Sequence, residues 1–266
     1  MNDNRPVGMF DSGIGGLTVF EQVTYLLPHE SLIYFGDTAN VPYGGRPVSE
    51  LIQLGDRIIR FLMTQSVKYV VFACNTSSSV SIGVLRERYP VPMIGLVEPG
   101  ARMAVAATKN KRVGLLATEI TVKSGSYPRA ITKIDQNVQV FSQAAPRLVP
   151  LVEAGKVDTP EAKAALTEYL APLKGAGIDT LVFGCTHYPF FAQDVSQILG
   201  PEVTLVDPAV AIAMEAEEDM RRRGLLAQSG RPVHKFYVSG NPEEFDRLAE
   251  RFSKQLLPRA IKVEAL

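Results

Sequence analysis

The chain has 266 residues, 46% of them apolar and 21% charged, and its 28 basic and 28 acidic side chains cancel to a formal net charge of zero. Such a composition excludes a disordered or fibrous polymer and leaves no overall field to draw the protein to nucleic acid or to an anionic membrane. The length exceeds that of a usual single domain, so two units of modest size are expected.

The opening Met1-Asn2-Asp3-Asn4-Arg5 runs into an apolar stretch of only a few residues, too short for a signal peptide or a membrane span, and a cytoplasmic protein is expected. Short runs of Val, Ile, Leu and Phe then alternate with longer stretches of helical period, the pattern of βα units around a largely parallel sheet. The first strand is expected at Pro6 to Asp11, running into the turn Asp11-Ser12-Gly13-Ile14-Gly15-Gly16, and the second at Ser31 to Gly36. The loop Val41-Pro42-Tyr43-Gly44-Gly45-Arg46-Pro47 is rich in turn formers and is expected to leave Tyr43 exposed. From Ser49 to Gln65, Leu51, Ile52, Ile58, Ile59, Phe61 and Leu62 fall at helical spacing. Strands follow at Tyr69 to Cys74, Met93 to Val97, Arg112 to Ala117 and Val138 to Ser142. Thr159-Pro160-Glu161 reads as a capping residue with proline at the first helical position. The last strands are expected at Asp179 to Gly184, Val203 to Asp207 and Lys235 to Ser239; between the final two, Arg221, Arg222 and Arg223 follow Glu215, Glu217, Glu218 and Asp219 on a helix, a solvated face of paired charges.

The fold class is therefore α/β: two pseudo-symmetric domains, each a largely parallel sheet flanked by helices, with a site in the cleft between them. Tight crossovers at Glu98-Pro99-Gly100 and Asp207-Pro208 put residues 1-97 plus 208-266 in a discontinuous first domain and 98-207 in the second. Internal similarity carries the symmetry. Lys68-Tyr69-Val70-Val71-Phe72-Ala73-Cys74-Asn75-Thr76 resembles Ile178-Asp179-Thr180-Leu181-Val182-Phe183-Gly184-Cys185-Thr186, with the cysteines 111 residues apart. Arg5 to Asp11 resembles Lys111 to Ala117 at the similar offset of 106 residues.

Only two cysteines occur, and each closes an apolar strand before residues that start a helix. Ligands bind outside the carboxyl ends of strands in open parallel sheets, so both thiols should face a crevice. A helix N-terminus favours the thiolate, so both are expected to be activated. One thiol on each half suits racemisation, in which one group removes an α-proton from one face and another returns a proton to the opposite face. His187 lies two residues beyond Cys185 and Asp11 ends the first strand, so each is placed to exchange a proton with one thiol; His29 and His234 have no such setting. The glycine turn after Asp11 can offer backbone N–H groups to a substrate carboxylate. It departs from a dinucleotide fingerprint because Thr18 stands where the third glycine belongs. Asn75, Thr76 and Thr186 read as caps that face the crevice.

The motifs Asp11-Ser12-Gly13, Pro42-Tyr43-Gly44, Cys74-Asn75-Thr76 and Gly184-Cys185-Thr186-His187, in this order across nearly the whole chain, resemble the glutamate branch of the aspartate/glutamate racemase superfamily. The resemblance implies two domains closing over glutamate as a small-molecule substrate, D-glutamate supplied for peptidoglycan synthesis and so for cell wall and cell shape, no cofactor and no metal. It implies Cys74 and Cys185 as the proton donor-acceptors, Asp11 assisting the first and His187 the second, with Glu153 matching an acid near the second thiol. Read locally, Glu153 is equally an exposed helix residue. Asp11, Ser12, Tyr43, Gly44, Asn75, Thr76, Thr186 and His187 match substrate-holding positions. A homodimer is the expected assembly, with neither nucleic acid nor membrane as a partner. The alternatives are a racemase of aspartate or another acidic amino acid, a non-catalytic amino-acid binding protein, and a redox pair in which the two cysteines form a reversible disulfide. Cys185 and His187 alone make a weak metal site.

Overall fold

In the computed structural model, which describes residues 3–263, the chain runs β1 (Val7–Asp11), α1 (Leu17–Leu26), β2 (Leu32–Gly36), α2 (Val48–Thr64), β3 (Tyr69–Phe72), α3 (Asn75–Val80), α4 (Ile82–Arg88), β4 (Met93–Gly95), α5 (Val97–Ala107), β5 (Arg112–Ala117), α6 (Glu119–Ser124), α7 (Ser126–Ile134), β6 (Gln139–Ala144) and α8 (Leu148–Glu153). It continues with α9 (Pro160–Gly175), β7 (Thr180–Gly184), a 3-10 turn at Tyr188–Phe191, α10 (Ala192–Leu199), β8 (Thr204–Val206), α11 (Pro208–Arg222), β9 (Lys235–Val238), α12 (Pro242–Phe252) and β10 (Ile261–Lys262). Met1 and Asn2, part of the N-terminal stretch considered above, lie outside the described residues.

Two sheets result, ordered β10-β9-β2-β1-β3-β4 and β6-β5-β7-β8, and every pairing is parallel. The order β2-β1-β3-β4 of the first is repeated by β6-β5-β7-β8 of the second. Repetition extends to register: Val7 lies opposite Tyr69 and Val113 opposite Thr180, residues related by the offsets of 106 and 111 seen in the sequence. We propose the domain boundaries given above on this sheet membership, with α5 and α11 packing against each other where the halves meet.

The strands read as unbroken apolar runs because helices cover both faces. Beneath α2, Phe10, Phe35, Val70 and Phe72 meet Ile58, Ile59 and Leu62, and the rings of Phe10 and Phe72 meet edge-on at 4.6 Å. On the opposite face Val7, Met9 and Tyr34 join Val19, Phe20 and Val23 of α1, while in the second sheet Val113, Leu115 and Val182 pack with Ala101, Ala104 and Ile131. The helix start expected at Thr159 is present: its side chain accepts from the Ala162 amide, with Pro160 next. Arg221, Arg222 and Arg223 pair with Glu217 and Asp219 on α11, as a solvated face should. Among the described residues no helix is long and apolar enough to cross a membrane.

Candidate active site

β3 stops at Phe72 rather than at Cys74, because the chain bends at Ala73, whose amide donates to both Phe10 and Val71 carbonyls. That bend makes Cys74 the extended N-cap residue of α3 (φ −113°, ψ 120°). Cys185 directly follows β7, and here the expected helix start is replaced by a 3-10 turn, because the Tyr188 amide bonds the Cys185 carbonyl three residues back. Both are free thiols, 4% and 6% exposed. They lie in a closed interior; a cavity of about 880 Å³ along Arg86, Glu98, Arg102 and Asp219 contains neither.

From Cys185 a chain of polar contacts runs outward. Its Sγ lies 3.7 Å from His187 Nδ1, and His187 Nε2 lies 2.6 Å from Glu153 Oε1. Glu153, at the end of α8, also accepts from the Ile14 amide at 3.1 Å, so a side chain that local sequence left undecided is held by residues 34 and 139 positions away. The glycine turn after β1 makes this approach possible. A Cβ on Gly13 would fall 2.0 Å from Glu153 Oε1, and one on Gly15 would fall 2.4 Å from His187 Nδ1. Two of the turn's amides are committed to protein carboxylates, Gly13 to Asp11 at 2.8 Å and Ile14 to Glu153. The glycines also allow close packing between the halves, since Gly13 and Gly15 leave room for Glu153 and His187.

Further bonds stitch the halves together around the thiols. Thr186 donates to Asp11 Oδ2 at 3.0 Å, the Thr76 and Thr118 hydroxyls lie 2.9 Å apart, Tyr127 donates to Asn75 Oδ1 at 2.6 Å, and the Ile120 amide donates to the Gly44 carbonyl. Asn75 Nδ2 is buried and has no acceptor among the described residues, which leaves one donor of the site unsatisfied. Ser12 is buried in the turn itself. Tyr43 is 2% exposed, contrary to the expectation of an exposed loop residue. It packs on Leu51, Leu54 and Cys74, and its hydroxyl donates to Asp37. Asp37 itself, fully buried and accepting also from Asn40 and Ser239, has no site role in the sequence reading, where it stands only at the spacing of the rejected dinucleotide fingerprint. Its position at the end of the second strand, matching that of Asp11 at the end of the first, was the available signal.

The electrostatics of the two thiols differ. Burial, and next the Asp11 carboxylate, push Cys74 up to about 12; the amide and hydroxyl of Ser77 pull the other way, and Cys185 adds to the rise. The expected activation of Cys74 is therefore overturned in this closed arrangement, where burial outweighs the few amides of a six-residue helix. Burial alone would lower the His187 imidazole, but its bonds to Cys185 and Glu153 outweigh burial and hold it well above its ordinary value. Burial raises Asp11 against the opposing pull of His187, the Gly13 amide and Thr186.

The family described as Asp/Glu/Hydantoin racemase matches residues 19–216. The glutamate racemase of Desulforudis audaxviator is 53% identical over 253 residues, covering 92% of this chain and 93% of that protein. The crystal structure of glutamate racemase isoform RacE1 from Bacillus anthracis superposes with a TM-score of 0.95 at 34% identity, covering 98% of each chain. Aspartate racemase of Picrophilus torridus shares the fold alone, at a TM-score of 0.56 and 17% identity over 82% of this chain and 94% of that one. By sequence over nearly its full length, and by fold, this chain belongs to the glutamate racemase family.

Proposed function

We propose that the protein interconverts L- and D-glutamate without a cofactor, by moving the α-proton between Cys74 and Cys185 on opposite faces of the substrate. One observation carries the reading: two buried thiols at equivalent places in two like-ordered sheets, near enough that Cys185 adds to the rise of Cys74, and both enclosed by bonds that join the halves. One thiolate removes the α-proton, leaving a flat carbanion, and the facing thiol protonates its other side; in reverse the roles exchange. Asp11 assists at Cys74; His187, braced by Glu153, assists at Cys185. Asn75, Thr76, Thr186, Ser12, Tyr43 and Gly44 hold the carboxylates and the amino group.

The product D-glutamate supplies peptidoglycan synthesis in the cytoplasm, and the working assembly is a homodimer, which light scattering checks. The defining experiment follows α-deuterium incorporation into each glutamate enantiomer in deuterated water, with no cofactor added. Incorporation by wild type, and its loss in Cys74→Ser and Cys185→Ser variants that still melt cooperatively, is the expected result. Normal turnover by either variant, or exchange into aspartate but not glutamate, would refute the proposal.

A further inference from the structure

A two-thiol racemase has to be reset. After one turnover the proton that began on the substrate sits on the thiol that removed it, and the opposite thiol has given its own away. The same enantiomer cannot be processed again until both are restored. In this closed arrangement both sulfurs are almost fully buried and meet no solvent directly. One route does lead outward. His187 is 2% exposed, but the Glu153 side chain beyond it is 17% exposed. Glu153 forms part of the wall of a cavity of about 170 Å³ on the outer side of the relay, together with Thr38, Val41, Asn241, Arg247 and Leu248. That space has room for several waters, and Thr38, Asn241, Glu244 and Arg247 in its wall offer them partners. Neither cysteine lines it, and exposed Asn241 at the start of α12 places its mouth at the surface.

We infer that Cys185, His187 and Glu153 form a proton outlet through this cavity, separate from the substrate cleft, which restores the protonation state of Cys185 between turnovers. The inference rests on the two-thiol reading above. In the step, the Cys185 S–H bond breaks as Nδ1–H forms on His187, and the Nε2–H bond breaks as O–H forms on Glu153 Oε1. Glu153 then passes the proton to cavity water. One proton moves from sulfur to solvent, the sulfur is left as thiolate, and nothing is oxidised or reduced. Restoring the proton follows the same path backwards.

A reset acts on free enzyme, so it limits turnover at saturating substrate and leaves kcat/KM untouched. Leu248→Phe, which narrows the cavity without touching the relay, is expected to lower kcat severalfold and KM in proportion, and to raise the solvent isotope effect on kcat. Glu153→Ala is expected to lose kcat on the order of 10²-fold, the worth of a positioned proton carrier. Formate, small enough to enter the cavity, restores it in Glu153→Ala but not in Glu153→Ala/Leu248→Phe. The formate arm is read only between variants that still melt cooperatively, because Leu248 is a buried core residue. An unchanged kcat in folded Leu248→Phe, a parallel fall of kcat and kcat/KM, or equal formate rescue in both backgrounds would overturn the outlet. If the cysteine variants are inactive as expected while any of these occurs, only the outlet fails; if they turn over normally, the two-thiol reading fails first.

Discussion

Gly15→Ala places one methyl group where the two halves of the molecule meet. Its Cβ would stand 2.4 Å from His187 Nδ1 and 2.7 Å from both His187 Cε1 and Thr186 Oγ1, where ordinary contact begins at 3.4 Å. The overlap at Nδ1 is therefore about 1 Å (3.4 less 2.4). Neither neighbour is free to yield, because His187 is held from behind by Glu153 at 2.6 Å and Thr186 is bonded to Asp11 at 3.0 Å. Either the ring leaves Cys185 or the turn lifts from the second half. Overpacking of this kind costs about 1–3 kcal/mol, and at about 2–4 °C per kcal/mol for a chain of this size Tm falls by about 2–12 °C. Displacing the His187 ring by about 1 Å costs on the order of 10²-fold in kcat/KM. Circular dichroism follows both quantities, as thermal unfolding and as the change in optical activity when one glutamate enantiomer becomes the other. Gly83→Ala is the control: its Cβ meets nothing within 4 Å on a helix, so activity is unchanged and stability rises by about 0.5–1 kcal/mol. Wild-type activity and Tm in Gly15→Ala would show that the interface is looser than these distances require.

Ultraviolet titration of thiolate in a Cys185→Ser background should show Cys74 ionising near about 12, and Asp11→Asn should bring the midpoint down; a midpoint near the usual thiol value, indifferent to Asp11, contradicts the electrostatic account. Because the folded-state value is raised, the contribution of Cys74 to stability is fully present below the ordinary thiol pKa, about 8.5, and is lost as pH climbs toward about 12. Wild type should therefore lose more Tm over that interval than Cys74→Ala does. Tyr43→Phe removes one donor from buried Asp37 and should cost about 1–3 kcal/mol in urea unfolding; no measurable change would mean that Asn40 and Ser239 suffice.

The sheets were legible because parallel strands covered on both faces must be continuously apolar, and the duplicated segments even carried the pairing register. The bend at Ala73 was not legible, since it rests on an amide shared between a neighbouring strand and the strand's own carbonyl. Tyr43 misled for a related reason. Its loop is full of turn formers, but Leu51 and Leu54 of α2 roof it over, and burial imposed by a distant element leaves no local mark. Of the site, the residues adjoining the cysteines could be read from chemistry and order. Glu153 could not be read locally, because its role depends on contacts with His187 and Ile14 that only the fold creates. The glycines were recognised as a special turn, but the close approach of the other half that Gly13 and Gly15 admit left no mark in the local sequence.

Duplication explains why there are two thiols; divergence at one pair of positions explains why they differ. At the shared offset of 111 residues the counterpart of His187 is Thr76. Thr76 spends its hydroxyl on Thr118, a neutral bond between the halves, whereas His187 faces a sulfur and a carboxylate. On the proposed mechanism the halves are therefore not interchangeable at rest: burial and Asp11 keep Cys74 protonated, and Cys185 has the basic partner. With Cys74 held protonated, substrate-free enzyme is a proton donor on the Cys74 side, so the enantiomer that takes its new proton from Cys74 reacts at once and the other waits until Cys74 has given its proton up. Rapid mixing of excess enzyme with each α-deuterated enantiomer should give a burst of deuterium loss for one and a lag for the other, although equilibrium between the enantiomers obliges their steady-state kcat/KM values to agree. Equal bursts would mean that the environment of Cys74 relaxes before chemistry, and the asymmetry seen in the closed structure would then have no kinetic consequence.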